Sequence, residues 1–411
     1  MTRRFVNYLW GFKTTATCKF VIGGLLLSGV VGSRSLQMPV YQLFCGLSAV
    51  LGTALLAGWV MRPRVTAAGG LPEKACAGHA VSGSVTLTNH ARRAAYDVSA
   101  RYFGLPPSLE PAAPDSPGAN TVFRLDPGET ACISVSVHPL RRGLYPLPEL
   151  RPYSTFPFGL WRMAGAGHDG GKLLVLPDFH PLNEVVVPVG TRYQPGGIAL
   201  TSNVGESPEY IGNREYRPGD PWRQLDFRSW ARLAKPVVRE FQEEYYHRIA
   251  LVLDTFVPGR RRIPPAGFPQ LEAAVSLAAA VADGLSRGEY IIDLFAAGPE
   301  LYVFRAGRHI SHFESVLEIL ACVDACRRNP FDTVTPAIAD ELASVSTVIC
   351  VFLDWDAARR GLVRTAIESG CEVKVLIVRD GEPSEPIAGA DTADIAVYTP
   401  GAVREGELDT V

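Results

Sequence analysis

The sequence lacks a Walker A loop, and its other short glycine motifs lie in the wrong setting for recognisable chemistry. The G-x-G-x-x-G string Gly165–Gly170 falls in a region of period two, not between a strand and a helix, and the G-x-S-x-G string Gly284–Gly288 ends a helical stripe instead of opening one, so neither a phosphate cradle nor a nucleophile elbow is indicated, and no cofactor is expected. None of its eight cysteines forms a C-x-x-C pair. They are expected to be reduced thiols, buried in a cytosolic domain. There is no excess of either charge. Forty Lys and Arg against 42 Asp and Glu give a net −2, which removes a global electrostatic case for nucleic acid. Histidines number only eight, and the pair His309 and His312 fits helix capping or exposure better than metal binding.

What is present divides the 411 residues into regions of different pattern. Ser35 to Met61 is 27 residues without a charge, more than the ~20 that cross a bilayer. Phe20 to Ser33 adds 14 uncharged residues. Arg3, Arg4, Lys13 and Lys19 precede the first stretch, Arg62 and Arg64 follow the second, and Arg34 alone lies between. Basic residues favour the cytoplasmic side. The expectation is a membrane hairpin over 1–64, with helices at about 15–33 and 38–61. It implies a multi-pass inner (cytoplasmic) membrane protein with its large C-terminal part cytosolic.

From Val65 the period becomes two. Val81–Asn89 and Ala131–Val137 alternate apolar and small polar residues, and Pro and Gly clusters separate the runs. This reads as an antiparallel β-sandwich over 65–180. In Asp126-Pro127-Gly128-Glu129, Pro presets φ and Gly accepts a positive one. Arg141-Arg142 reads as a solvated turn.

A linker over 181–245 follows, and it carries the densest constellation in the chain. Gly212–Glu240 holds seven basic and four acidic residues. The residues singled out in this segment are Arg214, Glu215, Tyr216, Pro218, Gly219, Asp220, Arg223, Asp226, Ala231 and Arg232. Asp220-Pro221 reads as a helix start. Three functions fit this segment. It could be a salt-bridged structural clamp, a recognition surface for a protein or anionic ligand, or an acid–base site built on Glu215, Asp220 and Asp226. The last lacks a nucleophile, and a carboxylate among arginines suits pairing better than proton donation.

From 246 to 400, buried strands alternate with helical stripes, the pattern of an α/β Rossmann-type domain with a largely parallel sheet. Ile249–Leu253 and Thr347–Leu353 end at Asp254 and Asp354, where such sheets bind ligands. Residues 401–411 read as a flexible tail.

The segment from Arg214 to Arg232 resembles the signature of the bacterial membrane-anchored family known as domain-of-unknown-function 58. Leu87-Thr88-Asn89, Arg141-Arg142-Gly143-Leu144-Tyr145 and Pro157-Phe158-Gly159-Leu160 also resemble it, in order. Phe227 departs from the tryptophan common in the family, which loses an indole donor. The resemblance implies a membrane hairpin, an immunoglobulin-like sandwich and a von Willebrand factor A-like domain. The corresponding Asp-x-Ser-x-Ser cation motif reads Asp254-Thr255-Phe256-Val257-Pro258 here. Both serines are gone, so Asp254 and Asp354 are weak candidates for a degenerate site and no metal is expected. The family also implies a non-enzymatic scaffold or adaptor. Its partners would be the lipid bilayer, a MoxR-type AAA+ ATPase and other membrane or envelope proteins. The alternatives are a hydrolase using the carboxylates of the signature segment, or an anionic-ligand sensor.

Overall fold

The computed structural model describes residues 9–34, 38–112, 120–188, 210–220, 222–241, 248–259, 262–288, 290–297, 301–305, 312–342, 345–387 and 394–411. Arg3, Arg4, His309 and much of the expected linker lie outside them. Two compact units emerge. One draws on 1–180, 259–279 and 314–324, the other on 181–258, 280–313 and 325–411.

The first unit begins with helices α1 (Ala16–Arg34) and α2 (Met38–Val60). Within them, Ala16–Ser33 and Pro39–Val60 are long and apolar enough to cross a membrane. Phe20, Leu26, Leu27, Leu43, Leu56 and Trp59 are exposed large apolar side chains on these helices.

Its β-rich part contains two four-stranded antiparallel sheets. One runs 65–69, 81–89, 130–139, 109–111, and the other 163–164, 150–154, 95–102, 121–125. A further sheet joins 74–76, 172–176 and 143–146. All three contribute to one apolar core containing Val85, Leu87, Val98, Leu125, Ile133, Leu150 and Leu173. Alternation explains the selection: Val85, Leu87 and Asn89 of one strand face inward. Asn89 meets its burial cost by donating to the carbonyls of Arg93 and Leu125, both at 2.9 Å. Gly128 takes φ 77° in the turn that Pro127 opens.

Arg142 corrects the expectation of a solvated turn. It is 3 % exposed. Its Nε donates to Leu320 O at 2.8 Å and its Nη2 to Val323 O at 2.7 Å. Nη1 pairs with Glu272. The chain needs a buried cation here because the carbonyls ending one helix and a carboxylate converge on a single point. Arg141 stays at the rim and pairs with Asp324 at 3.3 Å.

The second unit is built on a six-stranded sheet. Its strands are β1 (Arg248–Leu253), β2 (Ile291–Ala297), β3 (Leu301–Arg305), β4 (Thr347–Phe352), β5 (Glu372–Val378) and β6 (Asp394–Tyr398). The order is β3-β2-β1-β4-β5-β6. Every neighbouring pair is parallel except β2–β3. The unbroken apolar runs are central: Ile249–Leu253 and Val348–Phe352 are at most 1 % exposed.

Other departures have local causes. The helix His312–Cys322 ends before Cys326. Beyond it, Cys326 N donates to Thr255 O at 2.8 Å, which draws the chain into a bridge with Phe256. Cys326 is buried and Cys322 exposed. The cysteines are all free but not all buried. Cys45, Cys76, Cys132 and Cys322 are exposed, because they occupy outward positions of helices and strands. The tail expected to be flexible instead forms a helix over Pro400–Glu405, capped by Thr399. Val411 is 6 % exposed, and Val186 N donates to its carbonyl at 2.7 Å. One apolar terminal residue, backbone pairing and a good N-cap outweigh the acidic composition.

Candidate functional site

The signature segment is a small module of the second unit. Strands Tyr210–Glu215 and Val237–Phe241 pair antiparallel as a separate sheet. Between them lie a turn, a 3-10 turn at Trp222–Gln224 and the short helix α3 (Phe227–Leu233). Leu225, Val237 and Val238 are its buried apolar residues, and Leu225 bridges to Val238.

Asp226, not Asp220, starts the helix. Asp226 Oδ1 accepts from the N–H of Arg228 (3.1 Å) and Ser229 (3.3 Å). Oδ2 accepts from Ser229 Oγ at 2.8 Å and Asn213 Nδ2 at 3.2 Å. The Ser229 hydroxyl, then the Ser229 N–H, Asn213 and the Arg228 N–H, hold the carboxyl at about 2. Asp220 fails as the expected cap because Arg214 takes it first. The guanidinium spans both oxygens at 2.7 and 2.9 Å, and the Arg217 N–H adds a third bond at 2.8 Å. That pairing with Arg214, then the Arg217 N–H, lowers Asp220 to about 2.

Among the described residues these charges fall into three groups. Arg214 pairs with Asp220. Glu215 pairs with Lys235 at 3.0 Å in solvent. Asp226 binds Ser229 and Asn213, with Arg239 at 3.8 Å. Tyr216 donates its N–H to Pro236 O at 2.9 Å and helps close the hairpin. Pro218 and Gly219 form an exposed turn, and Arg223, Ala231 and Arg232 are exposed. The module also turns large apolar groups outward: Trp222 at 76 %, Phe227 at 67 % and Leu233 at 55 % exposure. Phe227 stacks on Trp230 at 6.1 Å. The sequence reading found the arginines, the carboxylates and the aromatics between them, but not which aromatics stand exposed. Spacing alone did not reveal it, because α3 is only seven residues long.

The carboxyl ends of β1 and β4 hold a second cluster. Asp254 is fully buried. Its Oδ2 accepts from Arg359 Nε (2.8 Å), Arg359 Nη2 (2.6 Å) and Leu353 N (3.0 Å), and Oδ1 from Phe256 N (2.8 Å). Burial pushes the Asp254 carboxyl upward, against the pull of Arg359 and the two N–H donors. Arg359 Nη1 also reaches Asp356 at 2.5 Å. The guanidinium lies 5.1 Å from the Phe331 ring and 5.9 Å from that of Phe256. Asp354 belongs to another group. It accepts from Trp355 N and Ser384 N at 2.8 and 2.9 Å, and it pairs with Arg379.

The two metal candidates are thus not brought together, and a divalent cation does not fit. A guanidinium already bridges Asp254 and Asp356, which leaves few oxygens for a hard cation. Among the described residues, no group of three or more His, Cys, Asp or Glu converges as a metal site. Sequence reasoning missed Arg359 because its partner lies 105 residues away.

Residues 212–330 match the family model described as protein of unknown function DUF58. Over that stretch the chain belongs to the DUF58 family. The match contains the signature module and Asp254, whereas Arg359 and Asp354 lie beyond it. No curated protein matches. Among solved structures, a β-glucosidase from Listeria innocua in complex with gluconolactone shows 14 % identity. The alignment covers 26 % of this chain and 16 % of that one, with a TM-score of 0.14. An inactive mutant of a GH20 exo-β-N-acetylglucosaminidase from Vibrio harveyi shows 9 % identity. It covers 77 % of this chain and 57 % of that one, with a TM-score of 0.16. The DUF58 chain thus spans less than two thirds of either protein, and likenesses this slight carry no glycosidase chemistry to it.

Proposed function

We propose that this DUF58 protein is a membrane-anchored, non-enzymatic scaffold or adaptor whose signature module binds a partner protein. The observation that carries the reading is the division of labour inside the module. Its described carboxylates are spent internally: Asp220 on Arg214, Asp226 on Ser229 and Asn213, Glu215 on Lys235. Its exposed side chains include Trp222, Phe227 and Leu233 together with Arg217, Arg223 and Arg232. Aromatic and arginine side chains dominate binding energy at protein interfaces. The partner's matching surface is then acidic with apolar pockets. Family resemblance names a MoxR-type AAA+ ATPase, acting in envelope-related assembly, as that partner.

The same arrangement disfavours a hydrolase. Asp220 and Asp226, each held at about 2, are acceptors and not proton donors at neutral pH. The strand order with one antiparallel edge supports a von Willebrand A-like reading of the six-stranded sheet, with Arg359 standing where such domains hold a cation. The two antiparallel sheets on one core support an immunoglobulin-like sandwich. The apolar helices support a two-pass anchor in the inner membrane, with the rest of the chain cytosolic.

Affinity capture from detergent-solubilised membranes tests the proposal. Wild type should recover an AAA+ ATPase, and Trp222→Ala with Phe227→Ala should lose it. Equal recovery by the double variant would overturn the module's role.

A further inference from the structure

The helices α1 and α2 do not end in open solvent. Leu160, 5 % exposed, packs with Cys18 of α1 and Ala54 of α2. Trp161 Nε1 donates to Leu51 O at 3.3 Å. Met163 closes against α2 at Gly58, where an added Cβ would sit 3.0 Å from the methionine Cε. Thr15 Oγ1 donates to the carbonyls of Gly159 (2.7 Å) and Leu160 (3.0 Å). The loop from Thr155 to Arg162 is therefore bound along the side of the helix pair.

Its height on the helices matters. At 1.5 Å per residue, Leu51 lies ~14 Å from the end of α2 at Val60, and only ~20 Å separates Leu51 from Met38. A bilayer's hydrocarbon core is ~30 Å thick. Met38–Leu51 is too short to cross it, and on α1 the stretch from Cys18 to Arg34 gives only ~24 Å. The hydrocarbon must continue past Leu51, beside Trp161 and Leu160. The rest of α2 agrees. Leu55, Leu56, Trp59, Val60 and Met61 are 45–69 % exposed. An apolar face of this size needs a cover, and it is continuous with the membrane-crossing part of the same helix.

The loop is also built for such a place. Irregular backbone at membrane depth survives only where its polar groups are satisfied. Gly159 N donates to Thr155 O at 2.8 Å, Phe156 N to Ser154 Oγ at 3.1 Å and Arg162 N to Lys13 O at 2.8 Å. Thr15 N adds a bond to Leu160 O at 3.1 Å, and Pro157 has no N–H to satisfy. Phe158 projects from this loop at 54 % exposure.

We propose that the loop 156–161 is itself embedded in the bilayer, with Phe158 among the acyl chains. The β-rich part is then seated on the lipid surface and not merely tethered to it. The proposal rests on α1 and α2 being membrane spans.

The experiment places benzoylphenylalanine, one site at a time, at Leu27, Phe158 or Phe123 of the full chain. The protein is held in nanodiscs of phosphatidylethanolamine and phosphatidylglycerol, irradiated, and read by mass spectrometry for lipid adducts. All three side chains are exposed, at 67 %, 54 % and 75 %, so the folded chain should tolerate each change. Lipid adducts should form comparably at positions 27 and 158 and be lost at 123, on the strand at the opposite edge of its sheet from Met163. Adducts at 27 without 158 would overturn the embedding while leaving the spans intact. Absence at both 27 and 158 would overturn the spans, and the embedding with them. Equal adducts at 158 and 123 would overturn it too, since the loop would then be no different from the open surface.

Discussion

Arg359 and Asp254 form a fully buried ion pair across 105 residues of sequence, with two guanidinium nitrogens on one carboxylate oxygen at 2.8 and 2.6 Å. The pair fastens the loop after β1 to the helix Ala357–Glu368 that follows β4. Removing one member of a buried pair leaves an uncompensated charge and costs about 3–5 kcal/mol. Arg359→Ala in the full chain should therefore lower the unfolding free energy by roughly that amount. Arg360→Ala, on the same helix but half-exposed, should cost about 0–1 kcal/mol. Denaturant titration in detergent compares the two, and equal losses would contradict the buried role.

The same guanidinium governs metal binding. With Arg359 on both Asp254 and Asp356, few oxygens remain for a hard cation. Calorimetric titration of the full chain with Mg²⁺ or Mn²⁺ should give no binding heat. A micromolar site that Asp254→Ala abolishes would refute this.

Such distant pairs mark the limit of what the sequence made legible. The six strands of the α/β sheet could be read because apolar runs and helical stripes are local signals. The two apolar helices were equally plain. Arg142 was not, because nothing near it announces Glu272, Leu320 and Val323 as partners. Asp220 was misjudged as a cap because Arg214, six residues earlier, competes for it through a hairpin that the sequence pattern left open. The helix at 400–405 was hidden by the acidic residues Glu405, Glu407 and Asp409 at its end and beyond, although Thr399 and Pro400 are a good helix start.

Acid should loosen the signature module. Asp220 and Asp226 sit at about 2 in the folded chain, below the ordinary 3.8. The unfolded chain binds more protons between these values, so their contribution is complete above about pH 4 and is lost as pH falls through about 2. Unfolding curves between pH 5 and 2 should be steeper in pH for wild type than for Asp226→Asn. Parallel curves would remove the linkage.

Topology can be read at exposed thiols. Cys371 is 5 % exposed and should resist reagent from either side, whereas Cys132 and Cys322 are exposed. With basic residues flanking the helix pair, the cytosolic placement predicts that a membrane-impermeant maleimide fails to label Cys132 in intact cells and labels it after lysis. Labelling in intact cells would place the β-rich part outside.

The signature module should separate stability from binding. Asp226 caps α3 and ties it to Asn213, so Asp226→Ala should lower the thermal midpoint. Trp222 and Phe227 are mostly exposed, and their replacement by Ala should change stability by no more than about 0.5 kcal/mol. At an interface, the same truncations of aromatic anchors typically cost about 2 kcal/mol or more, on the order of a 30-fold loss of affinity. Exposed Arg223 and Arg232 should follow the aromatics, with weaker effects that fade as salt rises. Paired melting and partner-capture measurements on variants at these five positions test the division. If Asp226→Ala spared the midpoint, its capping role would fail. If the aromatic and arginine changes all left capture intact, the outward face would not be the partner surface.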